Sequence, residues 1–438
     1  MITVNINIPN ESPFVLTQNN FIKGFTMLYE CDSDISKLYA PISANELSLS
    51  LINKDSVFSL ENTESPLFNK LGNGTELEVF EVLSGEPISR GKFYIVDYSA
   101  PLSAMTSTFS IRAVDRLQAV LNKDVSLEQI EYNLNLYDYF FKIFTSLGFS
   151  SDDLLIDEAL KSIILNFSVM NGQKMAQILN SCCLASDCMI FVDSKGRIQI
   201  KEKNMIGTPV KHFTTNNIIS LNVAKSLSFD NNMLKFGYVS AELSEVQELL
   251  KVSLECKPGE STNENISFSK NNVFEVDNIK VESTYDVVIE ECDLSQATIS
   301  IKTYNPFAES EIVNVVVMGK TIETTKAYII NKNEDDIVKN GEKSMELSSD
   351  SVQNKDLATT ISTIYWDRLN EKTPYLTLKT RSNTLQFEPC MIVDVIEPTR
   401  AKLNYLGYIH SIKYVWNGEG AFSVELGIKS AKGVEVNE

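Results

Sequence analysis

Thr75-Glu76-Leu77-Glu78-Val79-Phe80, Ser84-Gly85-Glu86-Pro87 and Gly91-Lys92-Phe93-Tyr94-Ile95-Val96-Asp97-Tyr98 read as a strand, a turn and a returning strand. Leu77 and Val79 alternate with Glu76 and Glu78, the period-2 pattern of a half-buried strand, and Ser-Gly-Glu-Pro is turn chemistry. Upstream, Leu47, Leu49 and Leu51 alternate with Ser before the polar Asn53-Lys54-Asp55-Ser56. Downstream, Thr106 to Val114 puts Phe109, Ile111 and Ala113 on one face and ends at Asp115-Arg116. Four or five short strands at such spacing predict a small barrel or sandwich.

The period then changes. Leu136, Phe140, Ile143, Phe144 and Leu147 share one helical face, with Gly148 placed as the C′ residue. Leu154 to Leu165 reads as a second helical or mixed segment. A third helix carries Met175, Ile178, Leu179 and Cys182 on one side, with Asn171 as its N-cap. Met189-Ile190-Phe191-Val192 and Ile198-Gln199-Ile200 flank a Gly196 turn as a hairpin. Strands return from Ile218, including Tyr285 to Ile289, Ala297 to Thr303 and Glu311 to Met318. Leu357, Ile361, Ile364, Tyr365 and Leu369 mark one long helix after Ser348-Ser349-Asp350-Ser351. Tyr375 to Thr380, Met391 to Val395, Leu406 to Tyr414 and Ala421 to Ile428 then form a second small barrel, with turns at Glu397-Pro398 and Gly418-Glu419-Gly420.

The expected fold class is therefore α+β, mainly β: two small β-barrel domains, a helical α+β insertion and a β-rich middle domain. The expected boundaries are 1–118 for the first barrel, 119–217 for the insertion, 218–305 for the middle domain and 306–438 for the last barrel, which includes the helix at 352–370.

The chain has 438 residues, enough for two to four domains. Lys plus Arg total 39 against 58 for Asp plus Glu, a net charge of −19. An acidic surface argues against nonspecific binding to nucleic acid or an anionic membrane. Met1 to Pro9 shows no positive segment followed by an apolar block, so no secretory signal is expected. Apolar runs such as Val315-Val316-Val317-Met318 are far shorter than the ~20 residues of a membrane span. Seven cysteines, an odd number thinly spread, suggest unpaired thiols in a reducing cytoplasm.

Catalytic patterns are missing. His212 and His410 are the two histidines and form no zinc motif. His410 alternates with Tyr408 and Ile412 and is expected to be packed on its strand. Cys182, Cys183 and Cys188 fit no paired metal spacing, and Cys182, Cys183 and Cys390 are expected to serve as small buried hydrophobes. No nucleophile elbow or phosphate loop is found, and Leu71-Gly72-Asn73-Gly74 leads into a strand, so it is a turn. The adjacent acids Asp152-Asp153, Glu290-Glu291 and Asp335-Asp336 are expected on solvated faces. Trp366 on the helix and Trp416 beside a turn suit packing better than a glycan platform. No catalytic, cofactor-binding or metal-ligating residue is nominated, and neither enzymatic activity nor a cofactor is expected.

Two stretches carry a resemblance. Gly85-Glu86-Pro87-Ile88-Ser89-Arg90-Gly91-Lys92-Phe93-Tyr94-Ile95, followed by Ile111-Arg112-Ala113-Val114-Asp115-Arg116-Leu117, resembles the N-terminal domain of bacteriophage tail baseplate hub proteins, a family also found in phage-tail-like bacteriocins. Val315 to Lys320, then Asn340-Gly341-Glu342-Lys343-Ser344-Met345-Glu346-Leu347 and the helix to Leu369, is similar to the family's later segment, with Met318, Asn340 and Met345 departing from the usual residues. The resemblance implies a structural hub ring, commonly a trimer, in a phage or phage-like contractile tail baseplate. Two tube-like β-barrel domains per chain would give a pseudo-sixfold collar joining the sixfold tail tube to the threefold central spike. Implied partners are further copies of the chain, the tube protein, the spike protein and other baseplate proteins. The implied location is the tail baseplate of a virion or phage-like particle made in a bacterial cytoplasm. The alternative reading is a tail-tip protein with peptidoglycan hydrolase or host receptor and glycan-binding activity.

Overall fold

A computed structural model describes residues 1–32, 42–59, 61–99, 108–123, 131–168, 174–203, 207–225, 231–270, 272–282, 288–294, 298–370, 374–399 and 402–430. Among the described residues the chain is mainly β with five α-helices: α1 (Arg116–Leu121), α2 (Leu136–Ser146), α3 (Met175–Ser186), α4 (Glu334–Asn340) and α5 (Lys355–Asn370). Asn171, Thr106, Tyr285 and Ala297, named above at element ends, lie outside the described residues.

The hairpin predicted around Gly85 is present as Glu76–Leu83 paired with Glu86–Ser99. It belongs to a run of seven strands. In spatial order these are Ile22–Glu30, Glu46–Ile52, Thr108–Val114, Glu86–Ser99, Glu76–Leu83, Ile2–Asn7 and Phe14–Thr17. The two outer strands, Phe14–Thr17 and Ile22–Glu30, are consecutive in sequence. A tight turn joins them, with Phe21 N–H donating to the Thr17 carbonyl (3.0 Å). The sheet must therefore curl until its edges almost meet.

The C-terminal strands repeat this device. Their order is Lys211–Thr214, Ile392–Glu397, Leu403–Trp416, Phe422–Ser430, Pro374–Ser382 and Ser220–Lys225. The outer strands are again consecutive, joined through residues 215–219, where Ile218 N–H donates to the Thr214 carbonyl (3.2 Å). Among the described residues no ladder links the two edges of either run; short turns bring them together. Each interior is apolar, as alternation predicts: Val4, Leu47, Leu49, Leu77, Phe93 and Ile111 in the first, Leu376, Val393, Ile412, Val424 and Leu426 in the second.

The two runs are one sheet. Phe25–Glu30 pairs antiparallel with Ser411–Trp416, and a single hydrophobic core continues across the junction.

Among the described residues, strand pairing and packing also cross the boundaries of the four consecutive segments. Strands Lys211–Thr214 and Ser220–Lys225, read as the end of the insertion and the start of the middle domain, cover the edges of the C-terminal sheet. Helix α5, assigned above to the last barrel, instead packs its Ile361, Tyr365 and Leu369 stripe into the core of the insertion, with Leu136, Phe140, Leu179 and Cys183. An amphipathic stripe is buried wherever a complementary face exists, and sequence proximity does not choose that face. The strand expected to end at Met318 runs from Glu311 to Lys332. Its first half pairs with Gln247–Cys256 and Val273–Glu282, its second with Met233–Leu243.

Smaller differences follow local chemistry. Leu154 to Leu165 forms short strands and 3-10 turns, one of them capped by Asp157 accepting from Ala159 N (3.1 Å). Helix α2 matches its predicted face, starting where Asn135 accepts from Asp138 N (2.8 Å) and followed by Gly148 at φ 86.

Candidate assembly interface

The joint between the two curled runs is built on one strand, Leu403–Trp416. Phe422–Ser430 covers one of its edges. Two strands share the other edge end to end: Ile392–Glu397 along the first half and Ile22–Glu30 along the second. They abut at a bulge between Ile409 and Ser411. Phe25 and Phe422 pack edge-to-face across the joint with centroids 6.1 Å apart. Glu81, 1% exposed, holds Arg90 at 2.8 Å on its own side and accepts from Leu385 N (3.0 Å) on the other.

A buried ion cluster sits beside the bulge. The Asp32 carboxylate lies 2.6 Å from Lys429 Nζ and 3.4 Å from Lys203 Nζ. His410 Nδ1 donates to the Asp32 backbone carbonyl (3.1 Å), and Tyr408 OH donates to its carboxylate (3.4 Å). Asp32 follows a strand of the first run, Lys429 and His410 belong to the second, and Lys203 follows the last strand of the insertion. The cluster thus ties three units together. Burial opposes the Asp32 charge, but the two lysines outweigh it and hold its carboxyl at about 2. Burial, then Lys429, push His410 down to about 3, so its imidazole stays neutral.

The resemblance motif Ala113-Val114-Asp115-Arg116-Leu117 has a mechanical explanation. Ala113 packs in the barrel core and Leu117 in the insertion core. Asp115 caps α1 by accepting from Gln118 N (3.2 Å) and also accepts from Asn45 N (2.6 Å). Asn45 in turn receives Glu30 N (3.1 Å) and donates to the Val192 carbonyl (2.8 Å). Burial pushes Asp115 up to about 7 against the pull of these backbone N–H groups.

These shifts fix a pH response. Between about pH 3 and 6.5 the unfolded imidazole of residue 410 binds a proton that the folded one refuses, so stability rises with pH. Between about pH 4 and 7 folded Asp115 keeps a proton that the unfolded chain releases, so its contribution falls as pH rises. Each effect is on the order of 4 kcal/mol, and they oppose each other. Denaturant melts should show a plateau from about pH 4 to 6.5. Asp115→Asn should convert it into a decline on acidification, and an unchanged plateau in that variant would contradict this assignment. Below about pH 4, protonation of Asp32 removes stability in both proteins.

The singled-out residues do not converge. His212, on the outer strand Lys211–Thr214, is exposed and pairs with Asp394 (2.7 Å), whereas His410 is buried on Leu403–Trp416 with Ile392–Glu397 between the two strands. Cys182 and Cys183 lie on α3 and Cys188 on the following strand, all buried. Asp153 binds Arg116 (3.2 Å), while Asp336 accepts from Asn232 (2.8 Å) and Asn340 (2.8 Å); the side chains of Glu290 and Glu291 lie outside the described residues. Trp366 packs against the insertion core, and Trp416 donates its indole N–H to the Gly420 carbonyl (3.2 Å). Among the described residues no group of three His, Cys, Asp or Glu side chains could hold a metal ion, and no helix is long and apolar enough to cross a membrane. Sequence reasoning missed the Asp32, Lys203 and Lys429 cluster, because 171 and 226 positions separate its neighbouring members and no local pattern marks them.

The outer strands carry apolar side chains in solvent. Val15 is 46% exposed on Phe14–Thr17, and Ile219 and Val223 are 59% and 41% exposed at Ser220–Lys225. Each of these strands pairs on one side only among the described residues.

Two curled sheets fused through one strand pair, with an α/β insertion and an outlying β unit, place this chain in the fold of phage tail proteins. The tail protein from Neisseria meningitidis matches with a TM-score of 0.55 at 9% identity, covering 98% of this chain and 96% of that one. The 43 kDa tail protein of prophage MuSo2 from Shewanella oneidensis matches with a TM-score of 0.56 at 10% identity, covering 98% of both chains. At such identities the likeness is one of fold. No family model matches the sequence, and no curated protein matches it.

Proposed function

We propose that this chain is a structural component of a phage or phage-like tail, forming a hub ring that joins a sixfold tube to a threefold spike. The observation that carries the proposal is the side-by-side fusion of two similarly curled sheets through Phe25–Glu30 and Ser411–Trp416. One chain then supplies two adjacent ring segments, and three chains supply six. In this reading residues 1–118 form one segment. Residues 211–225 and 374–430 form the other, while the insertion and middle region project from the ring. The exposed edges at Phe14–Thr17 and Ser220–Lys225 would be covered by neighbouring copies, which removes an aggregation hazard, and a head-to-tail contact that closes would make the ring. A net charge of −19 suits a lumen through which DNA passes without sticking.

Light scattering on the purified chain, with class averages from electron microscopy, tests this. The expected particle contains three copies and shows six lobes around a central hole. A monomer that associates with neither tube nor spike protein would sink the hub reading. Zymography on cell-wall material tests the hydrolase alternative: a cleared band abolished by one Asp or Glu substitution would replace the structural assignment.

A further inference from the structure

The seam on Leu403–Trp416 brings together two cysteines 359 positions apart. Cys31 N–H donates to the His410 carbonyl (2.9 Å), and Cys390 N–H donates to the carbonyl of the preceding residue, Ile409 (2.8 Å). The Cys31 thiol also donates to that Ile409 carbonyl (3.6 Å). The two residues therefore occupy neighbouring rows where the two abutting strands meet, and Cys390 packs against the small apolar cluster that contains Cys31. Cys31 is fully buried beside Met189, Phe191 and Tyr408, whereas Cys390 is only half-buried.

We propose that Cys31 and Cys390 are a latent disulfide site, closed by exchange with a small-molecule disulfide such as oxidised glutathione, which bonds the two barrels covalently at their seam. In the first step the Cys390 thiolate attacks the glutathione disulfide. A Cys390–glutathione bond forms, and one glutathione leaves as thiolate and takes up a proton. In the second step the Cys31 thiol gives its proton to solvent and attacks the Cys390 sulfur, expelling the second glutathione. Two protein thiols become one disulfide while one glutathione disulfide is reduced to two thiols. Burial raises the Cys31 thiol well above its usual range, so the second step is the slow one and quickens with rising pH. Cys183 and Cys188 also share a hydrophobic core, but both are buried and offer such a reagent no entry. The proposal does not depend on the ring reading, since it concerns a contact within one chain.

The test is to treat the native full chain with oxidised glutathione and map disulfides by mass spectrometry without reduction. The expected result is a Cys31–Cys390 cross-linked peptide, loss of two of the seven thiols, and a raised thermal midpoint that a thiol reductant reverses. Cys31→Ser should trap the glutathione adduct on Cys390. Should that variant fail to fold, Cys390→Ser serves instead, and it should take up no glutathione and keep its remaining thiols. A parent protein with a lasting Cys390 adduct and free Cys31, one that keeps all seven thiols, or one that links Cys183 to Cys188 would overturn the proposal.

Discussion

Asp32→Asn is expected to destabilise the protein by about 3–5 kcal/mol, the range for removing one partner of a buried ion pair. Asn preserves shape, but it leaves Lys429 and Lys203 facing each other without the anion that neutralises them. Their side chains are 20% and 6% exposed, so water cannot take over that role. The loss should be cooperative across units, because the carboxylate binds Lys429 of the C-terminal run and Lys203 of the insertion. Guanidinium melts followed by fluorescence and by limited proteolysis would show the barrels and the insertion loosening together. Adding Lys429→Met to Asp32→Asn should recover part of the loss, since it removes one uncompensated charge. Glu11→Gln is the control: it breaks a pair with Lys70 in which both side chains are exposed, 47% and 34%, and should cost under about 1 kcal/mol. An Asp32→Asn protein within about 1 kcal/mol of the parent would show that the cluster does not hold the joint.

Gly319→Ala is expected to cost about 1–3 kcal/mol or more through overpacking, with the damage confined to the middle β unit. A Cβ at this position would lie 2.2 Å from the Glu275 carbonyl oxygen, 2.7 Å from Leu249 Cδ1 and 3.0 Å from Val276 Cα. Two of those atoms are backbone and cannot swing aside, so Val273–Glu282 would have to separate from Glu311–Lys332 at the bulge following Val276. Hydrogen exchange should quicken in residues 247–282 and 311–321, while the strands around Val4 and Val424 keep their protection. Gly72→Ala, where an added Cβ meets nothing within 4 Å, should be close to neutral. If Gly319→Ala left exchange in the middle unit unchanged, the close approach of these strands would be refuted.

Gly319 and Asp115 both lie in stretches quoted for their resemblance to tail hub proteins, and each has a local physical role. One admits a neighbouring backbone. The other caps a helix while bridging two hydrophobic cores. Neither needs a ligand, which fits a motif whose content is mechanical.

Alternation and turn chemistry were enough to place the strands around Leu47, Leu77, Phe93, Ile111, Leu376 and Leu426, because period-2 burial and Gly or Asn turns are local properties. The faces of α2 and α5 were legible for the same reason. Tertiary structure alone decided that α5 packs in the insertion core and that Lys211–Thr214 and Ser220–Lys225 serve the C-terminal sheet. It also decided that Cys31, Asp32, Cys390, His410 and Lys429 meet at one seam. Those outcomes depend on which distant edge or stripe is left unpaired after local structure has formed, and hydrogen-bonding and apolar surfaces pair by proximity in space.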